Sequence, residues 1–432
     1  ITHNDVNAVI LTGSFSTAEL FTSWKSDLNL LAETSGKNSM ILTACCDIDV
    51  AVKDLVQSAF GNAGQKCSAA SLAIVEQSIF NDPAFKRQLL DAVSSLKIGK
   101  GYELATTIGP VIKPVAQFEN MQLYRALTVL DEGESWWIEP KQLDAAGYLW
   151  RPGVKVGVQP GSWSHQNEWF GPVLAIMTAP NLMTAIDWQN QTPFGLTAGI
   201  HSLDEEECEI WLDKVEAGNV YVNRTITGAI VNRQPFGGWK RSSVGPNAKA
   251  GGENYLATLR NWKKLQHFLP MKEQALRWWK GVGSQSIDRA GLTTEANLQR
   301  YRRFPNGFLV RIDSGNSRDE ISFLEWLRKE LNVKIVYSSP DLINGLTNVI
   351  VESVDEFVDR STEFDRVRWL SIEPAPTYQL LKNGISCDPR AIAQRGEIEL
   401  SRWFLEQSVA ITQHRYGNVN AGPKPRALGL AS

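Results

Sequence analysis

Ser39-Met40-Ile41-Leu42-Thr43-Ala44-Cys45-Cys46-Asp47-Ile48-Asp49-Val50-Ala51-Val52-Lys53-Asp54-Leu55-Val56-Gln57-Ser58-Ala59-Phe60-Gly61 carries two hydrophobic patterns in succession. The first five residues form a short apolar run and predict a strand. Asp47 and Asp49 then precede Val52, Leu55, Val56, Ala59 and Phe60, the i, i+3, i+4, i+7, i+8 spacing of an amphipathic helix. Gly61 and Gly64 end it. The pattern extends in both directions. Downstream, Leu72-Ala73-Ile74-Val75 predicts a strand and Phe80 to Leu96 a helix. Residues 171–180, 197–202 and 218–223 predict buried strands, with helices over Thr184 to Gln191 and Asp204 to Ala217. Upstream, Asn7-Ala8-Val9-Ile10-Leu11 predicts a strand, Thr12-Gly13-Ser14 a turn, and Ser16 to Phe21 a helix start with a capping hydroxyl and an early acid. Strands alternating with helices argue an α/β architecture. A lone first strand cannot make a sheet. With Ile1 as the first residue, the expectation is that an upstream part is missing.

Gln234 to Gly252 is rich in Gly and Pro and reads as a long loop system, and residues 269–305 as a connector rich in Arg and Trp. A second alternation follows. Gly307 to Ile312, Val333 to Tyr337 and Arg366 to Leu370 predict strands, and Ile321 to Leu331 and Ile398 to Thr412 predict helices. The last third is therefore expected to form its own small α/β layer.

Composition bounds the function. Of 432 residues, 43% are apolar and 21% charged, with a formal net charge of −3, which argues for a globular chain and against disorder. A near-neutral balance gives no drive toward nucleic acid or anionic membrane. No apolar run is long enough to span a bilayer. Five cysteines in a chain this long do not make a disulfide framework, so a reducing, cytoplasmic setting is the expectation. The five histidines, His3, His165, His201, His267 and His414, show no metal-ligand spacing, and no metal is expected.

Four stretches carry candidate chemistry. In Phe60-Gly61-Asn62-Ala63-Gly64-Gln65-Lys66-Cys67-Ser68-Ala69, Cys67 lies just past a helix in a glycine-flanked polar loop. On spacing alone a structural thiol is the commoner reading, but a nucleophile needs such access and nearby amide dipoles. In Leu31-Ala32-Glu33-Thr34-Ser35-Gly36-Lys37-Asn38, Glu33 follows an apolar pair, where a carboxylate with a raised pKa can act as a base. A helix cap or ion pair is the plainer alternative. In Glu168-Trp169-Phe170-Gly171-Pro172-Val173, an acid stands at the mouth of a buried strand, as ribose-binding acids do, though a surface acid fits as well. Asn223 to Ile230, running on to Gln234-Pro235-Phe236-Gly237-Gly238-Trp239-Lys240, offers glycine amides at Gly228 and Gly237-Gly238, or is a plain loop.

Taken in this order, these motifs resemble the aldehyde dehydrogenase superfamily from about Ala8 to Leu256. Thr12-Gly13-Ser14 is similar to that family's cofactor turn, with Ala18 where many members have a second glycine. The resemblance implies Cys67 as the catalytic nucleophile and Glu33 as the general base. It implies Gly13, Ser14, Glu168 and Phe170 as NAD-binding residues. Pro235-Phe236-Gly237-Gly238 matches the family's late signature. The subfamily signals are Ala32-Glu33-Thr34-Ser35-Gly36-Lys37, Thr227-Gly228-Ala229-Ile230-Val231, and Lys249-Ala250-Gly251-Gly252 with Asn254-Tyr255-Leu256. They resemble L-glutamate γ-semialdehyde dehydrogenases, and most of all the aldehyde-oxidising half of bifunctional proline utilization A. There Ser68, Gly228, Ala229 and Phe236 are the expected substrate contacts. The tail from Glu406-Gln407-Ser408 to Asn418 resembles the end of longer members, whose Rossmann-like C-terminal domain packs on the catalytic part.

The fold expected is therefore α/β: an aldehyde-dehydrogenase-like catalytic domain with a partial Rossmann-like NAD domain, then a smaller Rossmann-like α/β domain. The expected boundaries are 1–35 for the remnant of the NAD domain, 36–235 for the catalytic domain, 236–268 for its C-terminal segment, 269–305 for a connector and 306–432 for the last domain. The resemblance implies NAD-dependent oxidation of L-glutamate γ-semialdehyde to glutamate through a Cys67 thioester. FAD belongs only to an upstream proline dehydrogenase part of the same parent chain. The family's adenine-ribose lysine and oxyanion asparagine lie before the start of this sequence, so the fragment is expected to be incomplete for activity. Two other readings stay open: an aldehyde dehydrogenase of another substrate class, and an inert packing or oligomerisation module. A homo-oligomer is compatible with each.

Overall fold

The computed structural model describes residues 1–115, 121–343, 346 and 348–419. Its first elements are β1 (Ala8–Thr12), α1 (Phe15–Trp24), β2 (Asn29–Glu33), β3 (Asn38–Leu42), α2 (Ile48–Phe60) and β4 (Ala70–Glu76). β1 and β2 run parallel, with Thr12 opposite Glu33, and Ser243–Val244 adds an antiparallel strand on the far side of β2.

The main sheet has ten strands. Across it lie Ile287–Asp288, Glu295–Arg302, Leu405–Thr412, Asn219–Val222, Thr197–His201, β3, β4, Val173–Ala179, Gly153–Val156 and Ser135–Ile138. The middle of the sheet is parallel, from Leu405–Thr412 to Gly153–Val156. Such strands are covered on both faces, which is why β3 and β4 are buried at every residue and read as unbroken apolar runs. α2 covers one face. The Asp47 side chain accepts from the Val50 amide at 3.4 Å, and Ala51, Val52, Leu55, Val56, Ala59 and Phe60 pack on Met40, Leu42, Ala73 and Val75.

A separate five-stranded parallel sheet has the order Val349–Val351, Ile335–Ser339, Phe308–Arg311, Arg366–Trp369, Ser386–Asp388. This is the doubly wound pattern of a small α/β layer. Among the described residues no helix is long and apolar enough to cross a membrane.

Three expectations need correction. Ile398 to Thr412 is not one helix: Gly396–Ser401 is helical and Leu405–Thr412 is a strand. That strand lies between Asn219–Val222 and Glu295–Arg302, buried from Leu405 to Ile411, so its apolar and polar residues alike face protein and imitate a helical period. The small layer therefore does not keep the whole last third, because the chain returns to the main sheet. Residues 420–432 lie outside the described residues. The stretch read as a connector holds the helix Phe268–Trp278 and the strand Glu295–Arg302, whose Arg300 is buried and donates to Gln407 Oε1 at 2.8 Å. Its polar composition conceals a strand whose arginines reach the carbonyls of Leu212 and Asp213 in the neighbouring helix.

Candidate active site

The site forms where β2 and α2 end. α2 stops at Phe60, and the chain reverses through Asn62 and Ala63, both left-handed, and Gly64 at φ +67°. A Cβ on Gly64 would lie 2.3 Å from the Gly171 carbonyl oxygen. This reversal presents Lys66-Cys67-Ser68 before β4 begins. Asn38, at the start of β3, holds the loop from below. Its side-chain amide donates to the carbonyls of Cys67 at 2.6 Å and Ala69 at 3.0 Å, and its oxygen accepts from the Thr197 amide.

Glu33 is the last residue of β2. Its backbone carbonyl accepts from the Gly13 amide at 3.1 Å, so the β1–α1 turn is tied to it. The Cys67 thiol donates to Glu33 Oε1 at a sulfur–oxygen distance of 3.8 Å. Burial raises the Glu33 pKa above the ordinary carboxylate range, opposed by the Lys249 ammonium and the Cys67 hydrogen bond. Burial, with the charges of Glu33 and Glu168, pushes the Cys67 thiol up to about 11, while the Ser68 amide pulls it back. The resting sulfur is thus held as a thiol. A thiol so held must lose its proton before the sulfur can act as a nucleophile.

Glu168 reaches the same corner from the loop before Val173–Ala179. Its Oε1 accepts from the Gly36 amide at 3.0 Å. Burial raises its pKa, opposed by Gly36, Ser35 and Lys37. Lys37 is itself buried, with its amino nitrogen 3.2 Å from the centre of the Trp169 ring. Phe170 follows at φ +53° and is exposed.

The structure thus brings Cys67, Ser68, Glu33 and Glu168 to one place. Gly13 and Ser14 stand exposed beside it, with the Ser14 hydroxyl accepting from the Thr17 amide as the cap of α1. Gly228, at φ +84°, has open space around its Cα, and Ala229 is half-buried. Their loop is anchored by the Ile226 amide on Ser58 of α2. Phe236 pairs through its backbone with Ala250. Asn38 and Lys249 carry no role in the sequence reading. A polar residue opening an apolar strand is the signal that points to Asn38, whereas a lysine in a glycine-rich loop reads as exposed charge.

Gly36 offers a direct check on this geometry. A Cβ there would lie 2.6 Å from the Cys67 carbonyl oxygen and 2.7 Å from the Asn38 side-chain oxygen. Gly36→Ala is expected to cost about 1–3 kcal/mol in urea unfolding, as overpacking does. It is also expected to slow alkylation of Cys67 by iodoacetamide, because the loop must move.

The profile of the aldehyde dehydrogenase family matches residues 1–265. The 1-pyrroline-5-carboxylate dehydrogenase of Bacillus licheniformis is 35% identical over 228 residues, covering 53% of this chain and 43% of that protein. The chain spans less than half the length of the curated relatives it matches. The structure of proline utilization A from Corynebacterium freiburgense aligns with a TM-score of 0.81 and 40% identity, covering 97% of this chain and 43% of that one. An NAD-bound 1-pyrroline-5-carboxylate dehydrogenase from Thermus aligns with a TM-score of 0.55 and 31% identity, over 60% of this chain and 50% of that one.

Proposed function

The chain belongs to the aldehyde dehydrogenase family, and from that premise we propose that it carries the thiol chemistry of an NAD-dependent L-glutamate γ-semialdehyde dehydrogenase. The observation that carries this reading is the Cys67 thiol donating to the Glu33 carboxylate at 3.8 Å. Glu33 takes the thiol proton, and the Cys67 sulfur adds to the aldehyde carbon. The Ser68 amide, which already faces the sulfur, donates to the developing oxyanion. NAD, when bound, supplies the hydride acceptor. Glu33 loses that proton to solvent, takes another from the water that adds to the Cys67 thioester, and returns it to the sulfur as the carbon–sulfur bond breaks and glutamate leaves.

The residues present fit the dinucleotide. The exposed Gly13–Ser14 turn opens onto the N-terminus of the ten-residue α1, which favours an anionic group. The Glu168 carboxylate is oriented by the Gly36 amide for a ribose hydroxyl, beside exposed Phe170. On the substrate side, the Gly228 and Ala229 amides, with Ser68 and Phe236, are proposed to hold the amino-carboxylate end. A backbone site can select a carboxylate without a full positive charge.

The Corynebacterium freiburgense match supports a further part of the reading. The polypeptide to which this chain belongs carries an FAD-dependent proline dehydrogenase part, acts in the cytoplasm, and supplies the aldehyde from proline.

The test is NADH formation by the polypeptide with its upstream coding sequence included. L-glutamate γ-semialdehyde is compared with a five-carbon aldehyde lacking the amino-carboxylate end. The expected preference is about 100-fold or more in kcat/KM, as a site built around polar substrate groups shows. Equal rates would keep the chemistry and reject the substrate. No NADH from either would favour a packing module.

A further inference from the structure

The loop that carries Gly228 and Ala229 is tied at both ends to one carboxylate. Arg224 precedes the pair in sequence and Arg233 follows it. Arg224 Nη1 donates to Glu295 Oε2 at 2.8 Å, and Arg233 Nη1 donates to Glu295 Oε1 at 2.6 Å. Glu295 opens the Glu295–Arg302 strand, beyond the residues that the family profile matches. Its side chain is 15% exposed, so most of the carboxylate is withdrawn from water.

A second tie runs beside the first. Asn297, on the same strand, donates to Glu295 Oε1 at 3.2 Å and accepts from the Gln234 side-chain amide. Gln234 is buried, and its oxygen accepts from the Ile230 amide at 2.9 Å. The Asn297 backbone amide is held by Asp288 Oδ2 at 2.9 Å. On its other side the loop is held by the Ile226 amide, which donates to Ser58 at 3.1 Å. Ser58 lies on α2, the helix that leads into the Cys67 turn. Between these ties Gly228 is exposed, at φ +84°, and a Cβ there would meet nothing within 4 Å. A glycine turn left to itself samples many conformations. A turn held on both flanks keeps its amides aimed one way. Two guanidinium groups against one carboxylate also leave positive charge beside the turn, which favours an anionic substrate end.

We propose that Glu295 is a positioning residue for substrate selection: it clamps Arg224 and Arg233 on either side of Gly228 and Ala229, and so fixes the amides that receive the substrate carboxylate. This rests on the substrate contacts proposed above for Gly228 and Ala229.

The clamp is charged at neutral pH. Burial would raise the Glu295 carboxyl, but hydrogen bonds from Arg224 and Asn297 and the two guanidinium charges hold it below the ordinary carboxylate range. Strand order explains the reach. Glu295 pairs with Thr412 on Leu405–Thr412, and that strand pairs with Asn219–Val222, which runs directly into Arg224.

The experiment is NADH formation by the polypeptide with its upstream coding sequence included, with the two aldehydes named above. Glu295→Ala is expected to raise KM for L-glutamate γ-semialdehyde about 10-fold, as when about a tenth of the loop population is competent to bind. Its kcat is expected to stay within about 2-fold, the pattern of lost substrate binding. For the five-carbon aldehyde, kcat/KM is expected to change by less than about 2-fold, because that aldehyde does not use the turn. Glu295→Gln, which keeps the shape and one accepting oxygen, is expected to restore part of the affinity. Arg233→Met is expected to raise the same KM by less, since Arg224 remains. The double variant of Glu295→Ala with Arg233→Met is expected to match Glu295→Ala, because Arg233 acts through Glu295.

An unmoved KM in folded Glu295→Ala overturns the proposal. Equal losses with both aldehydes overturn it too, since they reveal only a structural prop. If Glu295→Ala does not fold, an unmoved KM in Arg233→Met overturns it instead. Should the parent show no preference between the aldehydes, the substrate reading fails, and this inference with it. A preference that ignores Glu295 and Arg233 defeats the inference alone.

Discussion

Cys67→Ala is expected to lower kcat/KM for aldehyde oxidation by more than about 10⁴-fold, since a covalent route loses its nucleophile and the remaining groups cannot replace it. The fold should survive. Cys67 is half-buried in a loop held through its backbone by Asn38, and the thiol contributes one long hydrogen bond to Glu33. Thermal unfolding of the variant should therefore stay close to that of the parent while activity is lost. Cys67→Ser makes the same point more stringently. It keeps the shape but substitutes a hydroxyl that is far less acidic than the thiol, so it too is expected to be inactive. Retained activity in either variant would show that the sulfur is not the attacking atom.

Glu33→Gln is expected to lower kcat by about 10²–10⁴-fold, the range of a lost general base. The loss should fall unevenly on the two halves of the reaction. The negative charge of Glu33 is one cause of the raised Cys67 pKa, which stands at about 11. Replacing it with a neutral amide lowers that pKa, so the thiolate becomes easier to form without a base. Hydrolysis gains nothing comparable, because the water still needs a proton acceptor. The variant should accumulate the Cys67 thioester after one turnover. In alkylation, the parent is expected to show two rises. The first follows Glu33, whose burial places it above the ordinary carboxylate range, and the second lies near 11. Glu33→Gln should collapse these into a single rise below about 11. An unchanged two-step profile would assign the first rise to another group.

Local pattern accounts for the residues that share a short stretch of chain. The β3–α2–β4 run is legible because its periods change from strand to helix and back within one stretch, and the glycine-flanked turn after α2 marks Cys67. Glu33 is legible as an acid beside an apolar pair, although the strand that carries it, Asn29–Glu33, shows only the apolar run Leu30-Leu31-Ala32 between polar ends. The roles given to both depend on the order of motifs along the chain rather than on any single spacing.

What local pattern hides is long-range pairing. Leu405–Thr412 is a strand only because Asn219–Val222 and Glu295–Arg302 flank it. The Arg300 and Gln407 pair is satisfied only across that ladder. Lys249 and Glu406 meet for the same reason, through the Lys249 amide, which donates to Glu406 Oε2 at 3.5 Å. Read alone, one is a loop lysine and the other a surface acid. Folded, both are buried.

The most direct test of the account is peptide mass analysis of the Glu33→Gln polypeptide, with its upstream coding sequence included, quenched after mixing with NAD and L-glutamate γ-semialdehyde. The expected result is a glutamyl acyl group on the peptide containing Cys67, present only when both reactants are added and absent from Cys67→Ala. A stable adduct on another residue, or turnover without any acyl group on Cys67, would contradict it.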